Sequence, residues 1–150
     1  MLLYRISLCK FATDLNGTGA KLFGGRWNSM GIPMVYMASS RALAALEVLA
    51  NVAALQDPES FCITVFDVPE DAIDVVDKDY LPQNWSSYPA PSRLKDIGDA
   101  FVKKNDFLLL KVPSAIVEDE YNYLLNVNHP MASQVKIELT KPFLFDKRLQ

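Results

Sequence analysis

The chain has 150 residues, half of them hydrophobic, with six glycines, nine prolines and a formal net charge of −3. Its length and apolar content fit one domain over 1–150 with a core of ordinary size, and they exclude a low-complexity chain. The acidic balance excludes the basic field that holds a nucleic-acid backbone, so no direct nucleic-acid contact is expected; a ligand with one or two phosphates needs only a few placed arginines.

The elements follow in chain order. The start, Met1 to Arg5, lacks the apolar core of a signal peptide. No run approaches the ~20 apolar residues of a membrane span, so a cytoplasmic protein is expected. Leu2 to Leu8 reads as a strand. Asn16 to Gly31 carries five glycines and reads as a shaped loop rather than a helix. Pro33 to Met37 is a short strand, with Tyr36 facing opposite to Val35 and Met37. Ser39 or Ser40 can cap a helix from Arg41 to about Leu55, built on strong helix formers and apolar on most sides. Ser40, Glu47 and Asn51 form its one polar stripe, with the small Ala44 and Ala54 beside it.

Phe61 to Phe66 is a β-branched and aromatic strand. Asp67 to Pro91 reads as turns, with a loop at Trp85 to Pro89. Ser92 can cap a second helix, with Leu94, Ile97 and Phe101 on one face and Asn105 at its end. Phe107 to Val112 reads as an apolar run, as in a strand buried on both faces. Asn122 to Asn126 follows an acidic turn. Val135 to Thr140 alternates as a half-exposed strand, and Phe143 to Phe145 would close the sheet. The mixed order predicts an α+β domain: a bent mixed sheet with flanking helices.

Cys9 and Cys62 match no disulfide framework or zinc pattern and read as separate buried thiols. No metal site is expected, because His129 is the only histidine and Pro130 after it suggests a turn role. Met30, Met34 and Met37 read as packing residues.

Five positions could carry chemistry. Arg26 sits in a glycine-rich turn, where a guanidinium can bind phosphate or carboxylate bidentately, or simply be exposed. Glu47 interrupts a greasy helix; it lies either on a solvent stripe or in a cleft, where Ala44 would let a ligand approach and the carboxylate could stabilise a cationic sugar centre. Ser114 follows Pro113 at a strand end, which suits a turn or a site. Arg5 is a charge in an apolar strand and needs a partner or a surface. Tyr36 can pack in the core or stack on a flat heterocycle.

Taken in order, several blocks resemble the RES domain, a family named for its arginine, glutamate and serine. They are Tyr4-Arg5, Gly24-Gly25-Arg26-Trp27-Asn28 with Gly31, Val35 to Ser40, and Ala42 to Leu49. Pro113-Ser114-Ala115-Ile116-Val117 and Asn122-Tyr123-Leu124-Leu125-Asn126, ending at His129-Pro130, complete the set. Val127 stands where proline is expected, and Asp67 to Pro91 matches little. The resemblance implies a fold similar to ADP-ribosyltransferases and a toxin held inactive by an Xre-type helix-turn-helix antitoxin.

The implied activity is cleavage of the nicotinamide–ribose bond of NAD by hydrolysis or phosphorolysis, with NAD as substrate and no other cofactor. ADP-ribosyl transfer to a protein is the alternative, and a non-catalytic nucleotide-binding or interaction domain is another. The positions implied are Arg5, Arg26, Tyr36, Glu47 and Ser114, with Asn126 added. Arg5 and Arg26 would hold the pyrophosphate or nearby ribose, and Tyr36 would stack on nicotinamide. Glu47 would bond the ribose, and Ser114 would orient the dinucleotide. The apolar content allows a homodimer. A ribonuclease using Glu47, Arg26 and His129 is disfavoured by the acidic balance.

Overall fold

A computed structural model describes residues 1–51 and 60–149. Seven strands form one sheet: β1 (Leu2–Leu8), β2 (Val35–Ala38), β3 (Phe61–Asp67), β4 (Ile73–Val75), β5 (Leu109–Pro113), β6 (Tyr121–Leu125) and β7 (Lys136–Pro142). Their order is β4-β5-β6-β2-β1-β3-β7. β4 pairs with β5 in parallel and the other pairings are antiparallel, so the sheet is mixed, as the α+β reading expects.

Directly paired residues share a face. Through Tyr4↔Ala38, Ala38↔Asn122 and Val112↔Asn122, one face carries Tyr4, Ile6, Tyr36, Ala38, Asn122, Leu124, Leu110 and Val112. Two helices cover it. α2 (Arg41–Ala50) packs Leu43 and Ala44 on Ile6, Ala38, Phe61 and Ile63. α3 (Arg93–Lys104) packs Leu94, Phe101 and Val102 on Leu110, Val112, Leu124 and Trp27. The opposite face buries Leu3, Val35, Met37, Phe66, Leu109 and Leu125. β5 is covered on both sides at Leu109, Leu110 and Val112, but its sequence is not the unbroken apolar run expected: Lys111 interrupts it, half-buried with its ammonium over the Tyr121 ring.

Local chemistry sets the helix ends. Ser40 Oγ accepts from the Leu43 N–H at 3.0 Å and caps α2. Asn105 takes the left-handed conformation that ends α3, a conformation asparagine tolerates. Ser92 precedes α3 without a side-chain capping bond. The expected stretch of α2 from Val52 to Leu55, Ala54 included, lies outside the described residues. Among the described residues no helix is long and apolar enough to cross a membrane.

Five expectations are corrected. The segment from Asn16 to Gly31 contains a helix, α1 (Thr18–Phe23). Gly17 and Gly24, both at positive φ, lie just outside it and form its ends rather than breaking it. The Asp67 to Pro91 region contributes β4, whose three residues pair with β5. Phe143 to Phe145 is not a strand; Phe145 is buried edge-on against Phe61. The two cysteines are not separate buried thiols, because Cys9 and Cys62 are disulfide-bonded and Cys9 is exposed. The β1–β3 ladder pairs Ser7 with Cys62, which brings the turn at Cys9 against a cysteine 53 residues away. Met34 and Met37 are buried as expected, but Met30 is exposed.

Candidate active site

The site lies on the helix-covered face, where α2 meets the ends of β5 and β6. Glu47 projects from the second turn of α2 and is half-buried. Its Oε1 accepts from the Asn122 Nδ2 at 2.6 Å and from the Ser114 Oγ at 3.2 Å. Both bonds reach an ionised acceptor, the strong class of hydrogen bond. Oε2 has no hydrogen-bond partner among the described residues, which leaves a fixed carboxylate with one open oxygen.

Ser114 is buried where β5 ends. Its Oγ also accepts from the Ile116 and Val117 N–H groups, both at 3.1 Å. The hydroxyl therefore builds the turn and, with its own proton, orients Glu47. Turn chemistry and site chemistry, alternatives in the sequence, are the same three bonds. Ala44 is not an approach surface for a ligand, since it is buried in the core under α2.

Arg26 is carried by the glycine turn beside β2. Its Nη1 donates to the Trp85 carbonyl at 2.9 Å. Trp85, which anchors the guanidinium, and Ser114, which bonds Glu47, both line a cavity of about 380 Å³; Arg26 and Glu47 themselves are not among its lining residues. A larger cavity of about 570 Å³, at Met1, Asp67 and Lys136, shares no lining residue with this site.

The turn that presents Arg26 is fixed at several points. The Tyr36 hydroxyl donates to Asn28 Oδ1 at 2.6 Å and accepts from the Trp27 N–H at 3.0 Å. Burial raises the pKa of that phenol well above its ordinary value, so it stays protonated. The buried Asn28 donates to the carbonyls of Ala20, Ser29 and Ile32. Asp99 on α3 accepts from the Ser29 N–H and hydroxyl at 2.9 and 2.6 Å. Tyr36→Phe leaves the Trp27 N–H and Asn28 Oδ1 unpaired. We expect it to lower unfolding free energy by about 1–3 kcal/mol in urea titrations; an unchanged midpoint would show that the phenol does not hold the turn.

Two expected residues are not brought to this site. Arg5 pairs with Thr64 in the sheet register and shares its face with Leu3, opposite to Tyr4 and α2. Its Nη2 donates to the Phe11 and Ala12 carbonyls at 2.9 Å, its guanidinium lies over the Phe66 ring, and its Nε is buried without a partner. Burial lowers its pKa to about 10, against the opposing pull of Asp14. In this position Arg5 ties the segment after β1 to the sheet.

Asn126 is fully buried, with Nδ2 on Asn105 Oδ1 at 2.6 Å and Oδ1 on the Asn128 N–H. It lies four residues along from Asn122, about 13 Å at strand rise. The asparagine that meets Glu47 is Asn122, which the sequence reading missed. Its signal was there: it heads the same Asn122 to Asn126 block and pairs in register with Ala38, on the face that α2 covers. His129 accepts the Met131 N–H on Nδ1 and takes the expected turn role.

Chain and site thus define an α+β domain with a carboxylate clamped by serine and asparagine at the ends of two adjacent strands. The RES domain model matches residues 2–146. The chain is 43% identical over 134 residues to "Toxin Res" of Photorhabdus laumondii, covering 88% of this chain and 83% of that protein. It is 37% identical over 141 residues to the "Prs ADP-ribosylating toxin" of Sphingobium sp., covering 92% and 88%. Its fold matches a chain from the M. tuberculosis MbcT–MbcA toxin–antitoxin complex with a TM-score of 0.78, at 21% identity, over 95% of this chain and 84% of that one. The chain belongs to the RES-domain family.

Proposed function

We propose that the chain is the toxin of a toxin–antitoxin pair and that it cleaves the nicotinamide–ribose bond of NAD. The observation that carries this reading is the Glu47 carboxylate, held at Oε1 by Ser114 and Asn122 with Oε2 open. When the C–N bond breaks, its electron pair goes to the pyridine nitrogen, which becomes neutral, and the ribose carbon takes on oxocarbenium character. A preorganised carboxylate stabilises that positive charge, and its open oxygen can accept a ribose hydroxyl. Water or phosphate then bonds to the sugar carbon and passes its proton to solvent. Nicotinamide is already cationic while attached, so its departure needs no strong acid; the protein's task is positional and electrostatic.

In this reading Arg26 holds the pyrophosphate, for which a guanidinium fork is suited. The half-buried Tyr36 ring lies on the Glu47 side of the sheet and packs partly against the cluster of Trp27, Leu110 and Leu124; in this reading the rest of its face meets the nicotinamide ring. The matched chain from a toxin–antitoxin complex supports an antitoxin as partner, which we take to be of the Xre helix-turn-helix type. The name of the Sphingobium relative favours a second reading, transfer of ADP-ribose to a protein side chain in place of water or phosphate.

Mass analysis of the products separates these outcomes. Incubation with NAD should give free nicotinamide with ADP-ribose, or with its 1″-phosphate when phosphate is supplied. ADP-ribose attached to a protein would select the second reading, and no nicotinamide release at all would end both.

A further inference from the structure

The 77–91 segment, which the family resemblance leaves unexplained, walls the cavity beside Ser114. Trp85 is fixed there at two backbone points. Its N–H donates to the Pro82 carbonyl, and its carbonyl accepts the Arg26 guanidinium. Its indole packs partly against the cluster of Leu94, Leu110 and Val112, and it also lines the cavity. At about 380 Å³ the space falls within the roughly 300–1,000 Å³ of small-ligand pockets.

The lining's charge decides which part of a dinucleotide can enter. Lys78 is its one cation, and that ammonium is paired with Asp119 at 3.3 Å; Glu118 and Glu120 add two negative charges. A pyrophosphate is repelled by such a wall and is better placed on the Arg26 side. A neutral aromatic base with a hydroxylated sugar is not repelled: Trp85 is the tryptophan of the lining, and Glu118, Asp119 and Glu120 offer carboxylates for sugar hydroxyls to donate to.

Resting on the reading of the Glu47 site as NAD-cleaving, we infer that this cavity is the subsite for the adenosine half of the dinucleotide, with Trp85 as its stacking platform. The scissile end lies on Glu47, the phosphates on Arg26, and the adenosine passes Ser114 into the space under Trp85. The 77–91 segment then sets recognition of the far end of the substrate, while Glu47, Ser114 and Asn122 serve the bond that breaks.

The test measures binding of two probes, ADP-ribose and nicotinamide mononucleotide, to wild-type chain, Trp85→Ala and Trp85→Phe by ligand-observed NMR. The Trp85 carbonyl that anchors Arg26 survives in both variants, so phosphate binding is retained. We expect Trp85→Ala to weaken ADP-ribose by about 5- to 150-fold, the worth of one stacked base, and to leave nicotinamide mononucleotide within about twofold. Trp85→Phe, which keeps a ring, should hold ADP-ribose within about tenfold of wild type. Equal weakening of both probes by Trp85→Ala, or unchanged ADP-ribose binding, overturns the subsite. Nicotinamide release from NAD by the wild-type chain is followed in parallel. A chain that binds ADP-ribose through Trp85 but releases no nicotinamide keeps the subsite and loses the NAD-cleaving reading.

Discussion

Glu47→Gln should slow nicotinamide release from NAD by about 10²–10³-fold, the usual scale for losing one preorganised electrostatic contact in a reacting site. The unfolding midpoint should stay close to wild type. The amide has the shape of the carboxylate, and its oxygen can occupy the Oε1 position, where Ser114 and Asn122 both donate. Packing and two hydrogen bonds survive; what is lost is the negative charge facing the sugar. Ser114→Ala is the informative contrast. It removes the donor to Glu47 and also the acceptor for the Ile116 and Val117 N–H groups, so it should cost about 1–3 kcal/mol of stability as well as turnover. Turnover of Glu47→Gln within about twofold of wild type would remove the glutamate from the mechanism.

That pair of variants also shows where the sequence was informative. Elements with a strong period were legible nearly to the residue: β1 falls on Leu2–Leu8, and α3 stops where Asn105 takes the left-handed conformation. Shorter elements were not. β4 has three residues and exists because β5 offers it a ladder, a tertiary cause with no local trace. α1 was hidden because its bounding glycines read as loop formers. The disulfide was hidden because strand register, not spacing, brings Cys9 to Cys62.

Among the site residues, Glu47 and Ser114 were named and are hydrogen-bonded to each other. Arg26 was legible, but its anchor, the Trp85 carbonyl, comes from the Asp67 to Pro91 region, which matches the family signature little. Arg5 and Asn126 show the limit of carrying roles over by motif. The type of residue was right for the chemistry, yet sheet register turns Arg5 to the other face, and Asn126 spends both ends of its amide on Asn105 and Asn128.

Gly98→Ala should be the most damaging single methyl group in the chain. Ordinarily this exchange inside a helix helps, by roughly 1 kcal/mol, because alanine loses less backbone entropy. Here a Cβ at 98 would fall inside the van der Waals envelope of the Trp27 carbonyl oxygen and lie 2.8 Å from the Trp27 carbonyl carbon. Those are backbone atoms, and the backbone at Trp27 cannot step aside freely. Its N–H is bonded to the Tyr36 hydroxyl, and the flanking Ser29 is bonded twice to Asp99 on the same helix. Helix and turn must therefore separate, at a net cost of about 1–3 kcal/mol. Arg26, one residue before Trp27, moves with the turn, so KM for NAD should rise along with the loss of stability. Gly19→Ala provides the control: a Cβ there meets nothing within 4 Å, and the residue sits in α1 without a positive φ, so the exchange should stabilise by about 0.4–1 kcal/mol. Denaturant titration of both variants decides the matter. If Gly98→Ala is as stable as wild type and binds NAD equally well, α3 does not set the position of Arg26.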